Sequence, residues 1–215
     1  MTDSLKEYFT LMKERPELFT ENENLMIETD IEKIKEYETQ NNKKIGIVYK
    51  SPYNMLIVDL VRNLYGYCFT YERCVPAVKK GAIVSIPVYN SKFVLLKQFR
   101  HATRKFQYAF PRGFSEKSLT SEENLKKEIM EELGSEVISS VFLGNTVSNS
   151  GLSADSADVF YCEVTEPVLK KGYEAITDIE FLSADEIKQW ISQNKIDDGF
   201  TTSALCMYFC SDKIH

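Results

Sequence analysis

KEIMEELG, at residues 127–134, places three glutamates, Glu128, Glu131 and Glu132, on one short stretch of the chain. In a helix of 3.6 residues per turn, steps of three and four residues bring all three carboxylates to one face. Like charges at this spacing destabilise an isolated helix, whereas Mg²⁺ favours carboxylate oxygens and commonly bridges them to phosphates. The stretch therefore predicts a metal-binding helix, and a solvated acidic helix face is the alternative interpretation.

The residues around this stretch predict the loop and the helix that hold it. FPRGF, at residues 110–114, ends a β-like run and combines a proline with a glycine, which is typical of a tight loop. Thr120, followed three residues later by Glu123, has the form of a capping box, and Gly134 suits the end of a helix. An apolar stripe beside the acidic one is formed by Leu125, Ile129 and Leu133.

This combination resembles the Nudix box, G-x5-E-x7-R-E-U-x-E-E-x-G-U, in which U is a bulky aliphatic residue. When the box is registered on Gly113, the three glutamates and Gly134 fall on box positions without a gap. Three positions depart from the pattern: Leu119 replaces the first Glu, Lys127 the Arg and Ser135 the last aliphatic residue. The first two departures remove a carboxylate–guanidinium pair that braces the loop against the helix in relatives, since Lys lacks the bidentate fork of Arg.

The resemblance extends over roughly residues 45–209 and is to the ADP-ribose pyrophosphatase-like branch of the family. Four further segments look like those of this branch, at residues 81–88, 92–101, 107–113 and 198–205. The last of them, DGFTTSAL, looks like the D-G-x-T-x-x-A-L start of the final helix, whereas Ala109 stands where a Glu is usual. Ser150 replaces a proline that marks ADP-ribose specificity in the branch, so the identity of the substrate stays open.

The order of strands and helices indicates a mixed sheet covered by helices, an α/β (α+β) fold. Strand patterns lie between residues 45 and 99 and between 137 and 182, and helices are predicted at 184–193 and 201–210. The resemblance makes this a Nudix-type α/β/α sandwich that comprises residues 43–215. Residues 1–42 are expected to form a small N-terminal helical segment, of a kind that often serves dimerisation in this branch.

The activity that the resemblance implies is Mg²⁺-dependent hydrolysis of a pyrophosphate bond in a nucleoside diphosphate linked to another moiety, such as ADP-ribose or a sugar nucleotide. Glu128, Glu131 and Glu132 are expected to be catalytic and to bind the metal, for which Mn²⁺ is the alternative ion. In relatives the backbone carbonyl at the position of Arg112 also reaches a metal. Arg100 is the first candidate for binding substrate phosphate, because a guanidinium pairs bidentately with phosphate oxygens, and Arg112 is the second.

The base that activates water lies outside the box in relatives, often in a loop after the downstream strands. Glu174 is the best placed candidate by its order along the chain and Glu166 is the second, although either residue can be a solvated loop acid. The departures at Ala109, Leu119 and Lys127 leave a second function open. In this alternative the chain is a catalytically weak Nudix-fold protein that binds a nucleotide as a sensor or interaction module.

Composition limits the partners and the compartment. The chain has 215 residues and a net charge of −6, which argues against general nucleic-acid binding. No apolar run approaches the roughly 18 residues that span a bilayer, and residues 1–6 lack the pattern of a signal peptide. The five cysteines form no CxxC and no zinc-binding spacing. We therefore expect a cytoplasmic homodimer that acts on a small-molecule nucleotide and has neither a nucleic-acid nor a membrane partner.

Overall fold

A computed structural model describes residues 3–77, 81–116, 118–170 and 173–214. The chain forms two compact units, of which the first comprises Met1–Lys79 and Asn149–Asp155 and the second Lys80–Ser148 and Ser156–His215. The first unit includes three strands beyond residue 42. The predicted division into residues 1–42 and 43–215 stays a prediction about domains.

The first unit combines two helices with a four-stranded antiparallel sheet. Its elements are α1 (Asp3–Glu14), β1 (Leu25–Ile27), α2 (Ile31–Asn41), β2 (Gly46–Lys50), β3 (Asn54–Asn63) and β4 (Cys68–Pro76), and a short 3-10 turn at Pro16–Phe19 follows α1. Strand β3 is central, because it pairs with each of the other three strands. The apolar face of α1 packs on this sheet through Leu5, Tyr8 and Leu11, which recur every three residues and so share one face of the helix.

A buried polar cluster links α1 to the sheet of the first unit. Asp59 accepts hydrogen bonds from the hydroxyl of Tyr8 and from the guanidinium of Arg73, whose Nε lies 2.6 Å from Asp59 Oδ2. Arg73 also donates to the carbonyl of Leu18 at 2.6 Å and lies over the ring of Phe19. A buried carboxylate is costly unless it is paired and hydrogen-bonded, so these contacts stabilise one arrangement of helix and sheet.

The second unit is built on a seven-stranded mixed sheet. Its strands are β5 (Ala82–Tyr89), β6 (Lys92–Arg100), β7 (Lys105–Ala109), β8 (Arg112–Phe114), β9 (Val137–Thr146), β10 (Ala157–Val164) and β11 (Ile176–Leu182). The strand order is β11-β6-β5-β10-β9, with β5 and β10 parallel. Strands β5 and β6 pair only beside their tight turn and then separate, and β8 pairs with β5 while β7 pairs with β6.

Three helices cover the two faces of this sheet. Alternate residues of a strand point to opposite faces, so Ile83 and Val84 of β5 belong to different layers. Ile83 packs in one core with the buried stripe of α3 (Ser121–Leu133), and Val84 packs in the other with buried residues of α4 (Ala184–Ser192) and α5 (Gly199–Phe209). The α/β/α sandwich with a mixed sheet that the sequence predicts is therefore confirmed.

The helices of the described ranges are short. The longest of them, α3, has 13 residues and carries charged side chains on its exposed face. A membrane-spanning helix needs about 20 predominantly apolar residues. In the part of the chain that the structure describes, no helix is long and apolar enough to cross a membrane.

Candidate active site

The three glutamates of the acidic stretch lie on α3, whose two ends are formed as predicted. Thr120 is the N-cap: its hydroxyl accepts a hydrogen bond from the Glu123 N–H at 3.2 Å, and the Glu123 carboxylate accepts one from the Thr120 N–H at 2.7 Å. Gly134 ends the helix with a φ of 60°, a conformation that glycine adopts without steric cost. These ends fix the position of α3 along the chain and hence the positions of its carboxylates.

The side chain of Asn124 connects the preceding loop to α3. It is 1% exposed, its Oδ1 accepts a hydrogen bond from the Glu116 N–H at 3.0 Å, and its Nδ2 donates to the Thr120 carbonyl at 2.9 Å. A buried amide that uses both its acceptor and its donor fixes the loop relative to the helix. The sequence analysis did not single out this residue, because an asparagine one position before Leu125 lies about 100° around the helix from it and gives no signal of burial.

The carboxylate of Glu128 lies directly against the backbone of Gly113. A Cβ atom added to Gly113 would lie 2.1 Å from Glu128 Cδ and from Oε1, so only a glycine leaves room for the carboxylate. The pKa of Glu128 is raised to about 7: burial is the largest cause, the charge of Lys127 lowers the pKa, and the charges of Glu131 and Glu174 raise it. Gly113, the box glycine, is needed here because the carboxylate of Glu128 approaches its backbone so closely.

Glu132 is the most buried acid of α3, with 1% of its surface exposed. Its Oε2 accepts a hydrogen bond from the Arg112 N–H at 3.2 Å. The pKa of Glu132 is raised to about 8: burial is the largest cause, the charges of Glu128 and Glu174 add to it, and the charge of Arg100 lowers the pKa. Two neighbouring carboxyls that resist ionisation in this way fit a divalent cation, which offsets both the burial and the mutual repulsion of the carboxylates.

Glu131 has a different partner. Its Oε2 lies 3.3 Å from the ammonium of Lys127, which also lies 3.0 Å from Glu116 Oε1. The loop is therefore braced against α3 through Glu116, although Leu119 stands at the acidic position of the box. This pair was missed because Glu116 occupies no position of the motif.

The structure brings Glu128 and Glu132 together, whereas Glu131 remains a predicted ligand. Among the residues that the structure describes, no three acidic, histidine or cysteine side chains are grouped as a metal site. The backbone carbonyl of Arg112 likewise stays a predicted ligand; the N–H of the same residue contacts Glu132.

The side chain of Arg100, at the end of β6, lies partly buried among charged groups. Burial and the nearby charge of Arg112 lower the pKa of Arg100, while Asp198, Glu132 and Glu174 raise it. Within the described ranges, the Nε of Arg100 is buried and has no hydrogen-bond partner. A buried guanidinium N–H of this kind is suited to a phosphate oxygen of a ligand.

The side chain of Arg112 is engaged within the protein. Its Nη2 lies 3.1 Å from Asp198 Oδ1, and its guanidinium lies over the ring of Phe200. Asp198 also caps α5, because its Oδ2 accepts hydrogen bonds from the N–H and the hydroxyl of Thr201, and this hydroxyl accepts one from the Phe110 N–H at 3.0 Å. The network ties the loop that precedes the box to α5, so phosphate binding by Arg112 stays a prediction.

Glu174 lies close enough to the acids of α3 that its charge raises the pKa of both Glu128 and Glu132. Its side chain is exposed, and its backbone has a φ of 45° and a ψ of 33°, a left-handed conformation that is uncommon outside glycine. Its carbonyl accepts a hydrogen bond from Gln98 Nε2 at 2.8 Å. Glu166, the second candidate for the base, lies exposed in the segment after β10.

Comparison with known proteins agrees with this fold. The NUDIX domain model matches residues 79–201, which is more than half of the chain. This range includes Arg100, Arg112, helix α3 and Glu174. Among solved structures, the chain resembles one described as the crystal structure of an ADP compounds hydrolase, with a TM-score of 0.66 and 14% identity over 77% of this chain and 90% of that chain. A search among curated proteins finds no match. On the extent of the domain match, the chain belongs to the NUDIX family.

Proposed function

We propose that this chain hydrolyses the pyrophosphate bond of a nucleoside diphosphate linked to another moiety, with the help of Mg²⁺ or Mn²⁺. The observation that carries this proposal is the pair of neighbouring carboxyls, the buried Glu132 and the half-buried Glu128, held against the backbone of Arg112 and Gly113. ADP-ribose and sugar nucleotides are the proposed substrate class. Support for this class comes from the sequence resemblance and from the fold shared with an ADP compounds hydrolase.

The residues of the chain have separate tasks in this reaction. Glu128 and Glu132, once they have lost their protons, would hold the cation, and Gly113 leaves room for the first of these carboxylates. A bound divalent cation supplies charge neutralisation at the pyrophosphate and activation of water. Arg100 would bind a phosphate oxygen through its Nε–H, which has no partner within the described ranges.

Glu174 is the proposed general base. Its carboxylate is exposed to solvent and lies near Glu128 and Glu132, so it is able to accept a proton from a water molecule beside them. The hydrogen bond from Gln98 holds the backbone of Glu174 in its left-handed conformation, which fixes the point from which the side chain extends.

One observation favours a second candidate function, a NUDIX protein that binds a nucleotide and hydrolyses it poorly. Among the described residues, Glu131 does not join Glu128 and Glu132 in a group of three potential metal ligands, which leaves two carboxylates rather than three at the candidate metal site. A site with fewer anionic ligands binds a divalent cation more weakly.

The test is nucleotide or phosphate release from ADP-ribose, sugar nucleotides, dinucleoside polyphosphates and nucleoside triphosphates, each with Mg²⁺ or Mn²⁺. We expect turnover of one class, a loss of about a thousandfold or more in Glu132→Gln, and wild-type rates in the control Glu122→Gln, an exposed acid of the same helix. No turnover, together with a nucleotide-dependent rise in melting temperature, would favour the binding protein. No turnover and no nucleotide binding would contradict both functions.

A further inference from the structure

Lys127 is held between two carboxylates that belong to different parts of the chain. Its ammonium lies 3.0 Å from Glu116 Oε1, in the loop that follows Gly113, and 3.3 Å from Glu131 Oε2, one turn further along α3. Both contacts favour the charged ammonium, and the hydrogen bond with Glu116 is the largest cause of the raised pKa of Lys127. The lysine thus connects the loop to the acidic side of the helix.

The loop residue of this connection is also fixed through its backbone. The N–H of Glu116 donates to the buried Oδ1 of Asn124, whose Nδ2 holds the Thr120 carbonyl at the start of α3. Asn124, Lys127 and Glu131 follow one another at steps of three and four residues, so they form one stripe along the helix. Exposed ion pairs are usually weak because two mobile side chains must be ordered, and here the backbone of Glu116 is already ordered.

From these contacts we propose that Glu116 and Lys127 are positioning residues for the reaction. Their ion pair holds Glu131, and the loop from Arg112 to Glu116, in the arrangement that the acidic helix needs to act on a nucleotide. Leu119 and Lys127 stand where the box has an acid and an arginine, and the acid of this chain lies three residues closer to Gly113. The inference rests on the proposed function and adds two residues to it.

The test compares Glu116→Gln and Lys127→Met, which remove the charges and keep the size, with Glu122→Gln and Lys126→Met, which change exposed neighbours on α3. For each variant, kcat and KM are measured separately on the substrate that the wild type hydrolyses. The dissociation constant of Mn²⁺ is measured by electron paramagnetic resonance, and the melting temperature is recorded.

We expect Glu116→Gln and Lys127→Met each to lower kcat and to weaken Mn²⁺ binding by about tenfold, as the loss of a residue that orients metal ligands does. KM should stay within about twofold, and both controls should behave like the wild type. The double variant should be no worse than either single one, because the two residues act as one unit.

A rescue variant separates positioning from simple folding. In the Glu116→Gln background, Leu119→Glu with Lys127→Arg rebuilds a carboxylate–guanidinium pair at the positions of the box. We expect this variant to have a kcat and an Mn²⁺ affinity at least about twofold higher than Glu116→Gln, which is a third of the tenfold loss on a logarithmic scale. Glu116→Asp, which keeps the charge on a shorter side chain, should lie between Glu116→Gln and the wild type.

The outcomes distinguish this inference from the function on which it rests. We call the ion pair of Glu116 and Lys127 the brace. If the wild type turns over no nucleotide, the proposed function fails, and the Mn²⁺ affinities of the variants alone test the positioning role of the brace. If Glu116→Gln keeps the wild-type kcat and Mn²⁺ affinity, the brace is overturned and the function stands. A fall in melting temperature alone would also overturn the brace, and a wild type without turnover or Mn²⁺ binding would overturn both.

Discussion

Glu128 and Glu132 are four residues apart on α3, and burial gives both carboxyls a raised pKa, about 7 and about 8. In the absence of a cation, Glu132 therefore keeps its proton through most of the neutral range. A divalent cation and the protons compete for the same oxygens, since only the ionised carboxylates are ligands. The acidity of these two residues thus links the pH of the solution to the occupancy of the site.

This link predicts how Mg²⁺ changes stability with pH. The two acids have folded-state pKa values above their ordinary value of 4.5, so the stability they contribute is fully present below pH 4.5 and is lost as the pH rises through about 7 to 8. Mg²⁺ should therefore raise the melting temperature strongly at pH 8.5 and little at pH 6. With Mg²⁺ at about a hundred times its dissociation constant, the rise at pH 8.5 should be roughly 5 °C.

The measurement is thermal unfolding at both pH values, with and without MgCl₂. Glu132→Gln should be more stable than the wild type at pH 8.5 without the metal, because it buries no charge, and should respond little to Mg²⁺. An equal effect of Mg²⁺ at both pH values would show that these carboxyls do not bind the cation.

Glu174→Gln tests the proposed base. The amide cannot accept a proton, so kcat should fall by roughly a hundredfold or more while Mn²⁺ affinity stays within about threefold. Glu166→Gln, at an exposed acid after β10, is the matched control and should keep the wild-type kcat. A wild-type kcat in Glu174→Gln would remove the assignment.

At the scale of secondary-structure elements, the candidate site depends on contacts between loops and the ends of helices. The hydroxyl of Thr201, in the first turn of α5, donates to Asp198 and accepts from the Phe110 N–H. Asp198 in turn holds the guanidinium of Arg112. One buried hydroxyl therefore connects the start of α5 with the loop that leads to the box.

Thr201→Val should destabilise the protein by about 1–3 kcal/mol, because it leaves the buried Phe110 N–H and one contact of Asp198 without a partner. Thr202→Val, at the partly exposed neighbouring threonine, is the control and should cost less than about 1 kcal/mol. Urea denaturation of both variants measures the difference. Equal destabilisation would show that the connection to Phe110 contributes nothing.

The elements that the sequence predicted well are those with a local signal. Apolar spacing, a capping box and a terminal glycine define α3 from Thr120 to Gly134. The sequence gives no such signal for β7 and β8, which pair with β6 and β5 where those two strands separate. These short strands lie on either side of Pro111 and resemble a loop in the sequence. The same holds for the contacts of the site: Glu116 and Asp198 were not assigned to Lys127 and Arg112, since partners from separate segments show no periodicity.

At the scale of the whole molecule, each compact unit has its own sheet and its own buried polar contacts. In the first unit the carboxylate of Asp59 is shared by α1, through Tyr8, and by the sheet, through Arg73. Burial and the charge of Asp59 raise the pKa of Tyr8, so its hydroxyl remains a donor at all ordinary pH values. The position of α1 on its sheet thus depends on a polar contact as well as on apolar packing.

Tyr8→Phe should reduce the protection of α1 amides against hydrogen exchange by about 1–3 kcal/mol of opening free energy, since Asp59 loses a buried hydrogen bond. Tyr37→Phe, at a partly buried tyrosine of α2, is the control and should leave the exchange of α1 unchanged. Unchanged protection of α1 in Tyr8→Phe would show that the hydrogen bond adds nothing to its packing.

The central claim is that Glu128 and Glu132 bind a divalent cation, and counting free Mn²⁺ by electron paramagnetic resonance during a titration at pH 8.5 tests it most directly. The wild type and the control Glu122→Gln should bind Mn²⁺ with the same affinity, and Glu132→Gln should bind it about a hundredfold more weakly or worse. Wild-type Mn²⁺ affinity in Glu132→Gln would contradict the claim.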